Sequence, residues 1–168
     1  MTDVAKGLQA GLGYRFVDSM VLTRALTHRS AGPAHNERLE FLGDSVLSIV
    51  ISDNLYRRYP EATEGELTRC RARLVRQETL AFVAQKLGLA DALTVGQAMG
   101  ARGSADHPGV LADALEALIG AVFIDGGYPA VVLVVEGIFA ELLRDIAPES
   151  ISKDAKTALQ EFLHKQGL

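Results

Sequence analysis

An all-α fold is predicted by three observations: apolar residues recur at helical spacing through most of the chain, β-rich alternating runs are scarce, and no Asn-Gly or Asp-Gly turn separates two such runs. The helical periods fall at 4–11, 18–28, 36–58, 63–75, 78–88, 109–125, 129–145 and 155–166. Several ends are marked. Thr63 and Glu66 form a T-x-x-E capping box, Gly88 sits where a helix should stop, and Pro129 suits a first helical turn. The run Val131 to Val135 favours strand by its β-branching, but Ile138, Phe139, Leu142 and Leu143 continue a helical stripe, so helix is the better reading.

With 168 residues, 48% of them hydrophobic, the chain can bury a sizeable core without staples. The single cysteine, Cys70, cannot form an internal disulfide, and a reducing cytoplasm is the expected compartment. The start, MTDVAKGLQAGLG, lacks the regions of a signal peptide. No stretch is read as approaching the ~20 apolar residues that cross a bilayer, so no membrane association is expected. The glycine-rich segment 96–104 reads as a connector, since no strand precedes it and no Lys-Ser or Lys-Thr closes it. A formal net charge of −4 argues against a nucleic-acid surface.

The acids are the informative residues. At about 100° per residue, Glu37, Glu40 and Asp44 fall within about 60° of one another on one helix. Leu39, Leu42, Val46, Ile49 and Val50 lie opposite, yet Phe41, Leu47 and Ile51 share the acidic side, so the helix is apolar nearly all round. Such a helix is expected to be buried. Clustered carboxylates there repel one another and lose hydration unless a cation compensates. In a second apolar helix Asp113 and Glu116 share a face. Solvated surface acids are the plainer reading of any one pair. Two clusters on two such helices favour a shared site for a hard divalent cation, whose natural chemistry is phosphoryl transfer.

A family resemblance rests on these residues. Asn36 to Leu47 reads NERLEFLGDSVL, which resembles the signature of the ribonuclease III family. Residues 25–30 (ALTHRS), Glu64 to Leu67 with Arg71-Ala72, and Leu111 to Asp113 with Glu116 to Ala121 resemble the family's flanking blocks, over roughly 13–145. The resemblance implies an all-α endonuclease domain that forms a homodimer with an active-site valley. It also implies Mg²⁺-dependent cleavage of double-stranded RNA (Mn²⁺ substituting), with 5′-phosphate and 3′-hydroxyl ends and short 3′ overhangs. By position it implies Glu40, Asp44, Asp113 and Glu116 as metal ligands, with Asp44 and Glu116 essential for hydrolysis. Glu37 and Glu64 become further cleavage-site acids completed across the dimer, and Phe41 a dimer contact.

Residues 105–109 depart from the family pattern, which has a charged residue and a serine ahead of the Leu-Ala-Asp block, but no expected ligand is lost. Residues 154–163 resemble the opening of a double-stranded-RNA-binding domain. The implied organisation is a catalytic domain over 1–146, a linker over 147–153 and a truncated binding module over 154–168. Setting the family-matched acids aside removes the negative net charge, which softens the charge objection. Arg69, Arg71, Arg73 and Arg76 share one helix; phosphate contacts and a solvated face both remain open readings. A di-iron carboxylate bundle would want histidines three after its glutamates, where Gly43 and Ile119 stand. A non-catalytic RNA-binding dimer would not need the full acid set, and a plain helical interaction module would leave it unexplained.

Overall fold

Two long helices, α3 (Glu37–Arg58) and α7 (Pro108–Ile138), make the most extensive packing in the computed structural model, which describes residues 3–96 and 105–148. Around them stand α1 (Asp3–Leu12), α2 (Ser19–Ala25), α4 (Glu64–Val75), α5 (Gln77–Lys86), α6 (Leu89–Ala92) and α8 (Ala140–Asp145). Among the described residues no strand forms, and the one isolated bridge pairs Thr27 with Thr94. The all-α expectation holds.

Local sequence explains most boundaries. Thr63 and Glu66 make the reciprocal capping box at α4, and Asp18 caps α2 by accepting the Met20 N–H. Gly88 takes φ +66° and stops α5, which begins at Gln77. The short α6 that follows was not expected. The predicted 18–28 helix ends at Ala25, because the next residues pair elsewhere: the Thr94 N–H donates to the Leu26 carbonyl and the His28 N–H to the Thr94 carbonyl. His28 then caps a 3₁₀ turn, Arg29–Ala31.

The helices predicted at 109–125 and 129–145 are joined into α7 but broken at Gly127, whose φ of 73° and ψ of −175° suit glycine alone. Pro129 stands just beyond the break, as its fixed φ requires. The Val131 to Val135 run is helical, with Val131, Val134 and Val135 buried, but the helix stops at Ile138 and α8 restarts at Ala140. Most of segment 96–104, most of the linker and the 155–166 helix lie outside the described residues.

α7 corrects one expectation. It is long and apolar enough to cross a membrane by length and composition. Here it is the core helix: Leu111, Leu115, Leu118, Ile119 and Val122 are fully buried by the domain's own helices. α3 corrects another, because in one chain it is not buried all round. Leu47 and Ile51 are interior, whereas Phe41 (79% exposed), Ile49 (57%) and Tyr56 (73%) form an outward stripe at helical spacing. Ile49 and Val50 were both read on the side opposite the acids; of the two, only Val50 is turned into the core. Cys70 is buried, and burial pushes its thiol pKa up.

Just before the break, Asp125 ties α7 to the N-terminal segment. Its carboxylate accepts from the Tyr14 hydroxyl (2.7 Å), the Val17 N–H (2.9 Å) and the Asp18 N–H (2.8 Å). Desolvation acts to raise its pKa, but these three donors outweigh it and hold the carboxyl below the usual aspartate range. The same contact pushes Tyr14 up to about 12, through burial first and then Asp125. A depressed folded-state pKa stabilises above the ordinary aspartate range and is lost as pH falls through the folded value. Asp125→Asn is expected to cost roughly 1–3 kcal/mol at pH 7 and to flatten the acid limb of the stability curve. Urea melts between pH 3 and 7 test this; parallel curves for variant and wild type would refute it.

Candidate metal centre and active site

The site begins with two glycines. α3 and α7 cross where Gly43 meets Gly120, and a Cβ built on Gly43 would lie 1.8 Å from the Glu116 carbonyl oxygen and 2.9 Å from the Gly120 nitrogen. A Cβ on Gly120 would lie 2.3 Å from the Leu39 carbonyl oxygen. Only residues without side chains allow the backbones to come this near. Glu40 lies three residues before Gly43, and Glu116 four before Gly120. The crossing therefore sets the acids of one helix against those of the other.

Carboxylate oxygens of Glu40, Asp113 and Glu116 all lie within 4.8 Å of one another, each half-buried. Burial, then the charges of Asp44, Glu40 and Asp113, push the Glu116 carboxyl up to about 8. Burial also raises Glu40, with Asp113, Glu37 and Asp44 adding to it and Arg29 opposing. Asp113 is raised chiefly by burial, against the pull of His28, Arg29 and His107. The group is short of positive charge. Oxygen-only donors converging on one point with that deficit fit a hard divalent cation.

Asp44 is exposed beside the triad and acts on both glutamates through its charge. Glu37, at the first turn of α3, is exposed and pairs with Arg29 at 3.1 Å; His35 Nδ1 lies 3.7 Å from its other oxygen. Glu64 is apart from this group within the chain. It opens α4, accepts from the Thr68 hydroxyl at 2.8 Å, and lines a groove of about 750 Å³ with Ser52, Tyr56 and Arg71. Arg71 donates to the Ser52 hydroxyl at 3.0 Å. Five of the six predicted acids thus share one mouth.

Residue spacing did not single out the basic residues beside the acids. His28 and Arg29 act on Asp113 from a segment far away in sequence, and His107 does so from the N-cap of the same helix. His28, read as structural, is buried and its Nδ1 lies 2.8 Å from the Ser30 hydroxyl. His107 caps α7, its Nδ1 accepting the Gly109 N–H at 3.2 Å. The departure at 105–109 therefore leaves the helix start intact.

The class so defined is an all-helical domain with a solvent-facing carboxylate centre suited to a divalent metal. The Ribonuclease-III-like family model matches residues 18–142. Ribonuclease 3 of Bordetella avium (strain 197N) is 49% identical over 161 residues, covering 96% of this chain and 64% of that protein. Ribonuclease 3 of Shewanella sp. (strain W3-18-1) is 52% identical over 157 residues, covering 94% of this chain and 69% of that protein. The nuclease domain of ribonuclease III from Campylobacter jejuni superposes with a TM-score of 0.77 at 36% identity, over 84% of this chain and 97% of that one. Dicer from Pichia stipitis gives 0.60 at 32% identity, over 76% and 57%. The chain belongs to the ribonuclease III family, and spans about two-thirds of the length of these bacterial relatives.

Proposed function

We propose that the protein is a ribonuclease III: a divalent-metal-dependent endonuclease that hydrolyses double-stranded RNA to 5′-phosphate and 3′-hydroxyl ends with short 3′ overhangs. The observation that carries this is the convergence of Glu40, Asp113 and Glu116 oxygens within 4.8 Å at the glycine crossing. Glu40, Asp44, Asp113 and Glu116 would hold Mg²⁺, or Mn²⁺ in its place. When bound, the cation supplies Lewis-acid polarisation of a phosphate and activation of water. The chain's own residues set the geometry. The packed backbones of α3 and α7 fix the distance between the acid pairs, and Asp44 and Glu116 are the residues assigned to hydrolysis.

Phe41, Ile49 and Tyr56 present an apolar stripe beside the groove that Glu64 lines, and a second copy of the chain is the proposed cover for that face. Glu64 then completes the partner's cleavage site together with the partner's Glu37, and Phe41 is the dimer contact. One structure of the Campylobacter jejuni nuclease domain is described by flexibility in its region involved in dimer formation. The proposed organisation is catalytic over 1–146, linker over 147–153 and the start of a double-stranded-RNA-binding module over 154–168. Processing of ribosomal and messenger RNA in the cytoplasm is the accompanying role.

A gel assay on duplex and single-stranded RNA, with and without Mg²⁺, tests the reading. Cleavage of duplex only, with metal only, is expected. Asp44→Ala should lower it by more than about a hundredfold with dimerisation unchanged. Cleavage should weaken steeply as salt rises, because duplex binding rests on phosphate contacts. Metal-independent cleavage, or full activity in Asp44→Ala, would overturn the assignment.

A further inference from the structure

We propose that Arg29 is a phosphate-positioning residue of the cleavage site, held ready by Glu37 and released to a backbone phosphate of the RNA. The inference rests on the nuclease reading above. Arg29 Nη1 lies 3.1 Å from Glu37 Oε1, and its side chain is 70% exposed at the mouth of the acid group. Its charge reaches Glu40 on α3 and Asp113 on α7, so it stands over both halves of the centre.

The backbone that carries it is fixed on both sides. His28 N–H donates to the Thr94 carbonyl at 2.9 Å, Ala31 N–H to the His28 carbonyl at 2.9 Å, and Asn36 N–H to the Thr27 carbonyl at 2.9 Å. The Ser30 hydroxyl accepts the Gly96 N–H at 2.9 Å, and a Cβ on Gly96 would lie 2.0 Å from the Ser30 carbonyl oxygen. A tight 3₁₀ turn thus anchors the stem of a side chain whose head is free to move. Holding the base of a contact rigid reduces what must be ordered when substrate arrives.

The chemistry favours phosphate over a permanent ion pair. An acidic centre repels the RNA backbone except where a cation intervenes, and a guanidinium offers paired donors that match phosphate oxygens. An exposed Arg–Glu pair in water is weak, so Glu37 yields its partner readily to a charged ligand. In the absence of RNA the pair keeps the guanidinium pointed at the site.

Steady-state cleavage of duplex RNA by Arg29→Ala and Arg29→Lys, across a range of salt, tests the idea. For Arg29→Ala, KM should rise about tenfold or more with a smaller change in kcat. The slope of log(kcat/KM) against log salt should become shallower by about one. Arg29→Lys should recover part of the KM and most of the slope. Titration with Mn²⁺ alone should show binding as tight as wild type or tighter, because a nearby positive charge has gone. An unchanged KM and slope in Arg29→Ala would overturn the proposal, as would a loss of Mn²⁺ binding or of thermal stability that accounts for the defect. If the wild type itself ignores duplex RNA, the nuclease reading falls too; if wild type cleaves and Arg29→Ala matches it, only the role of Arg29 falls.

Discussion

Glu116→Gln is expected to abolish measurable cleavage while raising the melting temperature of the metal-free domain at pH 8.5. Both effects come from one carboxylate. Burial, followed by the charges of Asp44, Glu40 and Asp113, holds Glu116 protonated up to about pH 8. A group whose folded-state pKa is raised contributes its stability in full below the unfolded value, in the ordinary glutamate range. That contribution is lost as pH rises through the folded value, about 8 here. The metal-free wild type should therefore weaken steadily from weakly acid to alkaline pH. Glutamine has the shape of the protonated side chain and cannot ionise, so the variant should lose that slope. Allowing for solvent at a half-exposed carboxyl, about 1–2 kcal/mol is at stake, or roughly 3–6 °C at alkaline pH.

Metal reverses the ranking. Divalent binding needs the ionised carboxylate, so Mg²⁺ should stabilise wild type far more than Glu116→Gln and release a proton when it binds below pH 8. Calorimetric titrations in two buffers of different ionisation heat measure that release. A variant that melts below wild type without metal at pH 8.5, or keeps the wild-type pH slope, would contradict the electrostatic account. Cleavage more than about a hundredfold below wild type is the activity side of the same prediction.

The acids were legible in the sequence because helical spacing alone places Glu37 with Glu40 and Asp44, and Asp113 with Glu116, whatever the tertiary packing. Bringing the two sets together is a tertiary event. It depends on Gly43 and Gly120 facing each other, and nothing local distinguishes those glycines from Gly137, which meets no neighbour. The same limit explains Ile49. Periodicity located an apolar stripe, but a helix apolar nearly all round gives no direction for the core, and Ile49 faces out while Val50 faces in. The end of α2 was misread because the backbone of 26–28 is claimed by Thr94, nearly seventy residues on. Arg29 was visible only as part of a motif, since its reach toward Asp113 exists in space and not in spacing.

Gly43→Ala should be the most damaging single-methyl change in the domain. The added carbon would sit 1.8 Å from the Glu116 carbonyl oxygen, 2.6 Å from its carbon and 2.9 Å from the Gly120 nitrogen. All three are backbone atoms of the core helix α7, so no side chain can swing away. α3 and α7 must separate instead, opening the contact between the Leu39, Val46 and Leu47 side of one and the Leu115 and Ile119 side of the other. Overpacking of this kind costs about 3 kcal/mol, or roughly 6–12 °C in a domain of this size. The site suffers with the core, because Glu40 recedes from Asp113 and Glu116 and their oxygens no longer meet around one cation. Mn²⁺ affinity should fall at least tenfold, the lower end of what a disturbed metal shell costs. Gly137→Ala, on the same α7 where a Cβ meets nothing within 4 Å, is the control and should stabilise by about 0.5–1 kcal/mol. A Gly43→Ala protein that melts with wild type and binds Mn²⁺ as tightly would mean that the two backbones do not approach so closely, and the carboxylate centre would need another cause.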